Sequence, residues 1–132
     1  MEEYIVTAFD MESCCEIEIT VLADEAETSD EIVLKCYVAG EEISGSDYNY
    51  LSAYQKLRDA FLQRGFGLKC KGSNINAIQS GMMGANDKIY LVEMEKPASK
   101  DDIVSLYDYS DISTFPDTQV QKDFFEKWCE SI

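Results

Sequence analysis

The stretch Cys-Glu-Ile-Glu-Ile-Thr-Val-Leu, residues 15–22, alternates apolar and polar side chains and indicates the fold more strongly than any other segment. A period of two puts Cys15, Ile17, Ile19 and Val21 on one side of a strand, because successive side chains of a strand point to opposite faces. We therefore predict a half-buried strand whose outward row begins with Glu16 and Glu18.

Two further strands are predicted on either side of this one. Residues 4–9 are β-branched and aromatic, and residues 32–39 have the composition of an antiparallel partner. The acidic residues 24–31, between the strands predicted at 15–22 and 32–39, have the polarity of a connecting loop. Gly40 and the Ser-Gly-Ser of residues 44–46 predict the turns that end this group of strands.

A helix follows these strands. Ser46 or Asp47 is expected to cap it, and Gly65 is placed to take the left-handed position after its last turn. The apolar residues that recur at helical spacing are Tyr50, Leu51, Tyr54, Leu57 and Phe61.

The last third of the chain predicts two more strands, at residues 66–71 and 89–92, separated by a glycine-marked loop. Ser99 and Asp102 resemble a capping box and predict a short helix through Ile103, Val104 and Tyr107. Pro116-Asp117 predicts the start of a final helix, whose expected apolar face is Val120, Phe124, Phe125 and Trp128.

This order of elements lacks the strict strand and helix alternation of parallel folds. We predict an α+β fold, with an antiparallel sheet of about five strands packed on one face by helices. The 132 residues, 45% of them apolar, match one ordinary domain, so residues 1–132 are predicted to form a single domain.

Composition disfavours an enzyme. The chain has no histidine, which removes the commonest general base and the commonest transition-metal ligand. The adjacent acids Glu41-Glu42 and Asp101-Asp102 are more typical of solvation or capping than of paired catalytic carboxylates. Five cysteines without a CxxC motif predict small, reduced core residues rather than a disulfide framework or a zinc site. No cofactor is predicted.

Two loops allow a ligand-binding interpretation as well as a structural one. Residues 24–31 have the carboxylates of a calcium loop, but Ser29 stands where an EF-hand has its glycine, so a solvated turn is favoured. Residues 72–84 resemble a phosphate cradle only in their glycines. A tight loop that lets neighbouring backbone approach is favoured there.

The N-terminus predicts a cytoplasmic protein. Residues 1–4 are acidic, without the basic and apolar regions of a leader peptide, and the chain has no apolar run long enough to span a membrane. Reduced cysteines fit the same compartment.

Negative charge is concentrated in one part of the chain. Fourteen of the 26 acidic residues lie in residues 1–49, together with a single base, Lys35. Such a segment attracts a positively charged partner and disfavours nucleic acid. We predict that these carboxylates accept hydrogen bonds from Lys and Arg of a partner protein. The candidate partner-binding residues are Glu16, Glu18, Asp24, Glu25, Glu27, Asp30, Glu31, Glu41, Glu42 and Asp47.

Residues 50–110 resemble a known family. The segments that carry the resemblance are Leu68–Asn74, Ala77–Met82, Lys88–Leu91, Lys96–Ala98 and Ile103-Val104. They look like those of small bacterial immunity proteins of polymorphic toxin and contact-dependent growth-inhibition systems. The acidic residues 1–49 lie outside the match.

The resemblance implies an immunity protein, or antitoxin, that binds and neutralises a cognate toxin domain. Together with the charge, it predicts a basic toxin such as a nuclease. The alternative is an acidic adaptor, or a mimic of DNA, without a dedicated toxin partner. One saturable partner would favour the first, and similar affinity for many DNA-binding proteins would favour the second.

Overall fold

The chain forms two antiparallel sheets and two helices in a computed structural model that describes residues 2–25 and 31–132. The strands are β1 (Glu2–Asp10), β2 (Cys15–Glu25), β3 (Ile32–Val38), β4 (Glu41–Asp47), β5 (Phe66–Leu68), β6 (Ala77–Ile78), β7 (Lys88–Leu91) and β8 (Ile103–Ser105). The helices are α1 (Tyr50–Gln63) and α2 (Thr118–Ser131). The first sheet has the order β4-β3-β2-β1-β5, and β6, β7 and β8 form a smaller second sheet. The predicted α+β class is confirmed, whereas the second sheet was not predicted.

The alternating stretch forms β2 as predicted, but the strand runs beyond Leu22 to Glu25. Ile19 and Val21 are buried, as the alternation indicates, while Cys15 and Ile17 of the same row are exposed. The reason is that β3 pairs with β2 only from Leu22 to Glu25. Among the described strands, the first residues of β2 therefore pair with β1 alone.

The prediction of a turn at residues 44–46 is wrong, because they lie inside β4. Gly40 does take a turn conformation, with φ +79°. Gly45 is required for a different reason. A Cβ atom on Gly45 would lie 2.4 Å from the backbone nitrogen of Leu57 in α1. Glycine thus allows the helix to pack directly on the strand.

Helix α1 is confirmed, with its cap two residues later than expected. Asn49 caps it by accepting from the Ser52 amide at 3.2 Å. Gly65 takes the predicted left-handed conformation, with φ +84°. All five residues of the predicted apolar face are buried: Tyr50, Leu51, Tyr54, Leu57 and Phe61. They pack in the main core with the inward residues of β1 to β4.

The predicted strand at 66–71 ends early, at Leu68, and a short 3₁₀ turn follows at residues 71–73. The strand predicted at 89–92 is present as β7. The capping box of Ser99 and Asp102 is also present, but it closes only one 3₁₀ turn. The predicted helix beyond it is wrong. Ile103–Ser105 form β8 and pair with β7, in keeping with their β-branched residues.

Helix α2 begins after Asp117 as predicted, and the Asp117 side chain accepts from the Val120 amide at 3.0 Å. Trp128 is buried, and Phe124 packs beside it against the second sheet. Val120 and Phe125 differ from expectation, since both are more than 40% exposed.

The buried side of the first turn of α2 is polar. Gln121 is 2% exposed, and its amide nitrogen donates to the carbonyls of Gly72 and Asn74 at 3.0 and 2.7 Å. Its oxygen accepts from Nη2 of Arg58 at 2.6 Å. Arg58 is fully buried, and its Nε donates to Asp59 at 2.8 Å. We call Arg58, Asp59, Thr118 and Gln121 the polar clamp, because their hydrogen bonds join α1 to α2.

The prediction that the cysteines are core residues is right for two of the five. Cys36 and Cys70 lie in the main core, and burial raises the pKa of the Cys70 thiol to about 12. Cys14, Cys15 and Cys129 are exposed. Within the part of the chain that the structure describes, no helix is both long and apolar enough to cross a membrane.

Candidate partner-binding face

The five-stranded sheet packs one face on α1 and presents the other face outward. Val6 and Val21, which belong to the α1 side, are at most 4% exposed, whereas Ile5 is 70% exposed. Directly opposed residues on antiparallel strands share a face, so the strand pairing assigns the rest. We call the outward side the open face. Its residues are Glu3, Ile5, Thr7, Phe9, Glu16, Glu18, Thr20, Leu22, Asp24, Val33, Lys35, Tyr37, Glu42, Ser44 and Ser46.

One end of the open face is covered by residues 109–116. The ring of Phe115 lies over Gly67 of β5, where a Cβ atom would lie 2.4 Å from it. The same ring stacks on Phe9 with a centroid distance of 5.9 Å. The accessible part of the face is therefore formed by β1 to β4.

Glu16 lies at the covered end and is already paired. Its carboxylate accepts from Nζ of Lys69 at 2.7 Å, and Asp111 accepts from the same nitrogen at 2.9 Å. Lys69 is 7% exposed and also lies 5.5 Å from the ring centroid of Tyr109. The hydrogen bonds to Glu16 and Asp111 raise the pKa of Lys69. We infer a structural role for Glu16.

Three other predicted acids lie on the accessible part of the open face. Glu18 and Asp24 are exposed on β2, and Glu42 is exposed on the edge strand β4. Glu42 accepts from the Tyr37 hydroxyl at 3.1 Å and lies 3.8 Å from Nζ of Lys35. These acids remain exposed, as a surface that receives a partner's cations requires.

Two predicted acids lie on the helix side instead. Glu41 accepts from both Nε and Nη2 of Arg64, at 3.0 and 2.6 Å, and this hydrogen bonding lowers the pKa of Glu41. Asp47 lies 3.1 Å from Nζ of Lys56. Partial burial acts to raise the pKa of Asp47, but hydrogen bonds from Lys56 and the Tyr48 amide lower it on balance. Both acids anchor α1 to β4.

The remaining predicted acids lie in residues 25–31 of the sequence. Glu31 is half-buried immediately before β3. The backbone of Glu25 ends β2. The side chain of Glu25 lies outside the described structure, as do Glu27 and Asp30. Most of residues 24–31, for which a calcium site was the alternative interpretation, also lie outside the described structure.

Sequence reasoning missed the apolar residues of the open face. Ile5 is 70% exposed and Tyr37 is 60% exposed, and Leu22 and Val33 are half-buried on β2 and β3. The sequence of residues 4–9 does contain a sign of them. Apolar side chains occur in both alternating rows of this strand, although α1 buries only one side of it. Glu3 was also missed, and it stands opposite Leu22.

The glycine-marked loop shows close backbone packing. A Cβ atom on Gly72 would lie 2.9 Å from the Tyr54 ring and 3.0 Å from Leu106. This supports the structural interpretation of that glycine. Among the described residues, no three Cys, Asp or Glu side chains are grouped so that they could hold a metal ion.

No protein-family model matches this chain, and no curated protein matches it. The resemblance to immunity proteins thus stays a prediction from sequence. The segments that carry it include buried residues such as Leu68, Cys70, Ala77 and Ile89, which lie in the main core.

Proposed function

We propose that the protein is a cytoplasmic immunity protein that inhibits a basic toxin domain by binding it through the accessible part of the open face. The observation that carries the proposal is the composition of this face. Exposed Ile5 and Tyr37 stand on the same face as Glu3, Glu18, Asp24 and Glu42, and Lys35 is the only base among the described residues of its accessible part. The nature of the toxin as a nuclease rests on the charge argument alone.

Exposed apolar residues among carboxylates favour a specific protein partner. Buried aromatic and aliphatic side chains supply most of the binding energy of an interface, and surrounding charges set the association rate and the choice of partner. A mimic of DNA needs carboxylates at phosphate positions and gains little from exposed Ile5. This face therefore supports the immunity proposal over the general acidic adaptor.

The first experiment is co-expression with the polypeptide encoded immediately beside this gene, scored by cell survival and copurification. Rescue of survival with a stable complex is the expected result. An absence of both toxicity and complex would contradict the proposal. Similar capture of many unrelated DNA-binding proteins would favour the acidic adaptor.

The face itself is tested with charge reversals. Glu18→Lys with Asp24→Lys should slow association with the toxin by about tenfold or more at low salt, because steering depends on the local field. Glu126→Lys with Glu130→Lys, on the exposed side of α2, makes the same change in net charge elsewhere. Equal slowing by both pairs would remove the open face from the proposal.

Tyr37→Ala should mainly speed dissociation of the complex with the toxin.

A further inference from the structure

A cavity of about 380 Å³ opens at one end of the five-stranded sheet. The start of β1, the end of β2, the first residue of α1 and the loop before β7 contribute to its wall. The polar and aromatic residues that line it are Glu2, Tyr4, Asp24, Tyr50, Asn86 and Asp87. Its volume falls in the range of about 300–1,000 Å³ that is typical of ligand pockets.

The lining is acidic. Of the nine described residues that line it, three carry carboxylates and none carries a positive charge. Asp87 accepts from the Ser105 hydroxyl through Oδ2, and Nζ of Lys88 lies 3.9 Å from the same oxygen. Among the described residues, Oδ1 of Asp87 has no hydrogen-bond partner.

One wall is aromatic. Tyr4 stacks on Tyr107, with ring centroids 3.9 Å apart and planes within 14°. Tyr50 meets the same ring edge-on, and the two hydroxyls lie 2.8 Å apart. Tyr50 is 7% exposed.

The carboxylates and the tyrosines act on the same space. Burial is the main cause that raises the pKa of Tyr4, and the hydrogen bond to Glu2 and the charge of Asp87 add to it. Burial also raises the pKa of Tyr50, again with a contribution from the charge of Asp87. Glu2 and Asp87, which belong to separate segments, thus both make the potential beside the rings of Tyr4 and Tyr50 negative.

We propose that this cavity binds an alkylguanidinium group. A guanidinium is planar, stacks on aromatic rings and offers a fork of donors that matches carboxylates. Asp87 Oδ1 and the Glu2 carboxylate supply the acceptors, and Tyr4 and Tyr50 supply the ring surfaces. Both an arginine side chain of a partner protein and a free alkylguanidine have this chemistry. The inference does not depend on the proposed function, although Asp24 belongs to both the cavity and the open face.

The test is a titration of the whole ¹⁵N-labelled protein at low salt, followed by NMR. N-acetyl-arginine amide should shift the amide signals of Asn86 and Asp87 with a dissociation constant on the order of 1 mM, a plausible strength for one side chain. N-acetyl-citrulline amide, the neutral isostere, should bind at least about fivefold more weakly. Propylguanidine, which carries one positive charge like the arginine amide, represents the free alkylguanidines. Tighter binding of propylguanidine assigns the site to a small molecule, and tighter binding of the arginine amide assigns it to a protein side chain.

Two variants make the test specific. Asp87→Asn and Glu2→Gln keep an oxygen for the hydroxyls of Ser105 and Tyr4 but remove one charge each. Each should weaken binding of N-acetyl-arginine amide about fivefold, while Glu126→Gln on α2 should leave it unchanged. Neither variant alters the open face, so toxin binding through that face should persist in both.

Three results would overturn the proposal. They are unshifted Asn86 and Asp87 signals, equal binding of the citrulline and arginine amides, and calcium chloride shifting these signals at lower concentration than the arginine amide. Unchanged thermal unfolding of the two variants ensures that weaker binding reports the site and not the fold.

Discussion

Lys69 illustrates how single residues decide which acids remain accessible. Its ammonium group is held by Glu16, Asp111 and the rings of Phe9 and Tyr109, so these acids serve the fold. A lysine whose pKa is raised on folding contributes stability below its unfolded value of about 10.4, and the contribution is lost as the pH rises through the folded value. Lys69 is therefore charged throughout the neutral and acidic range.

Asp111 gives a pH-dependent prediction. The hydrogen bond from Lys69 lowers its pKa. A carboxyl group of this kind stabilises the fold above its unfolded pKa of about 3.9, and the contribution is lost as the pH falls through the folded value. Asp111→Asn should lower the free energy of unfolding at pH 7, and the difference from the parent should shrink below about pH 4. Urea denaturation from pH 2.5 to 7 measures this.

Asp108→Asn is the control for this prediction. Asp108 is exposed and lies three residues away, so its replacement makes the same change in net charge without removing a ligand of Lys69. A difference between Asp111→Asn and the parent that stays constant from pH 2.5 to 7 would contradict the explanation.

The site could be predicted from sequence only in part. Strand alternation places Glu16 and Glu18 on one row, and both lie on the open face. The alternation cannot show that Lys69, 53 positions later in the chain, donates a hydrogen bond to Glu16. Glu41 and Asp47 were also misplaced, because their partners Arg64 and Lys56 meet them only through tertiary packing.

At the level of elements, the contact between β4 and α1 depends on Gly45. Gly45→Ala should lower the free energy of unfolding by about 1–3 kcal/mol, because the added Cβ would overlap the Leu57 backbone nitrogen and push the helix from the strand. Chemical denaturation measures the loss. Gly81→Ala is the matched control, since no atom of a described residue beyond its two chain neighbours lies within 4 Å of its Cβ position. Equal effects of the two changes would exclude the overlap as the cause.

The same glycine explains why β4 was not predicted. Ser-Gly-Ser at residues 44–46 has the composition of a turn, and only the approach of α1 makes it a strand. Ile103 and Val104 show the opposite error. The capping box before them indicated a helix, but pairing with β7 outweighs this local signal. Local patterns gave the long elements correctly, and tertiary packing decided these two.

At the scale of the whole molecule, the net charge of −15 should oppose folding and favour association with a basic partner. Like charges repel more strongly in the compact state, and salt screens them. Raising NaCl from 10 to 200 mM should increase the free energy of unfolding, by on the order of 1 kcal/mol. The same change should slow association with a basic partner.

Urea denaturation over the salt series measures the folding half of this prediction. A variant that combines Glu3→Gln, Glu18→Gln and Asp24→Asn removes three charges from the open face and should show a weaker salt dependence. Stability that stays constant with salt in the parent protein would show that repulsion contributes little to folding.

The polar clamp sets a lower limit on the part of the chain that folds by itself. A fragment ending before Thr118 would keep every strand, yet it would remove Gln121 from Arg58 and leave only Asp59 of the clamp's acceptors. A buried guanidinium deprived of acceptors costs several kcal/mol, a large part of the stability of a domain this size. The C-terminal helix is thus an obligatory part of the folding unit, so proteolytic trimming from this end should stop at α2 while the protein remains native.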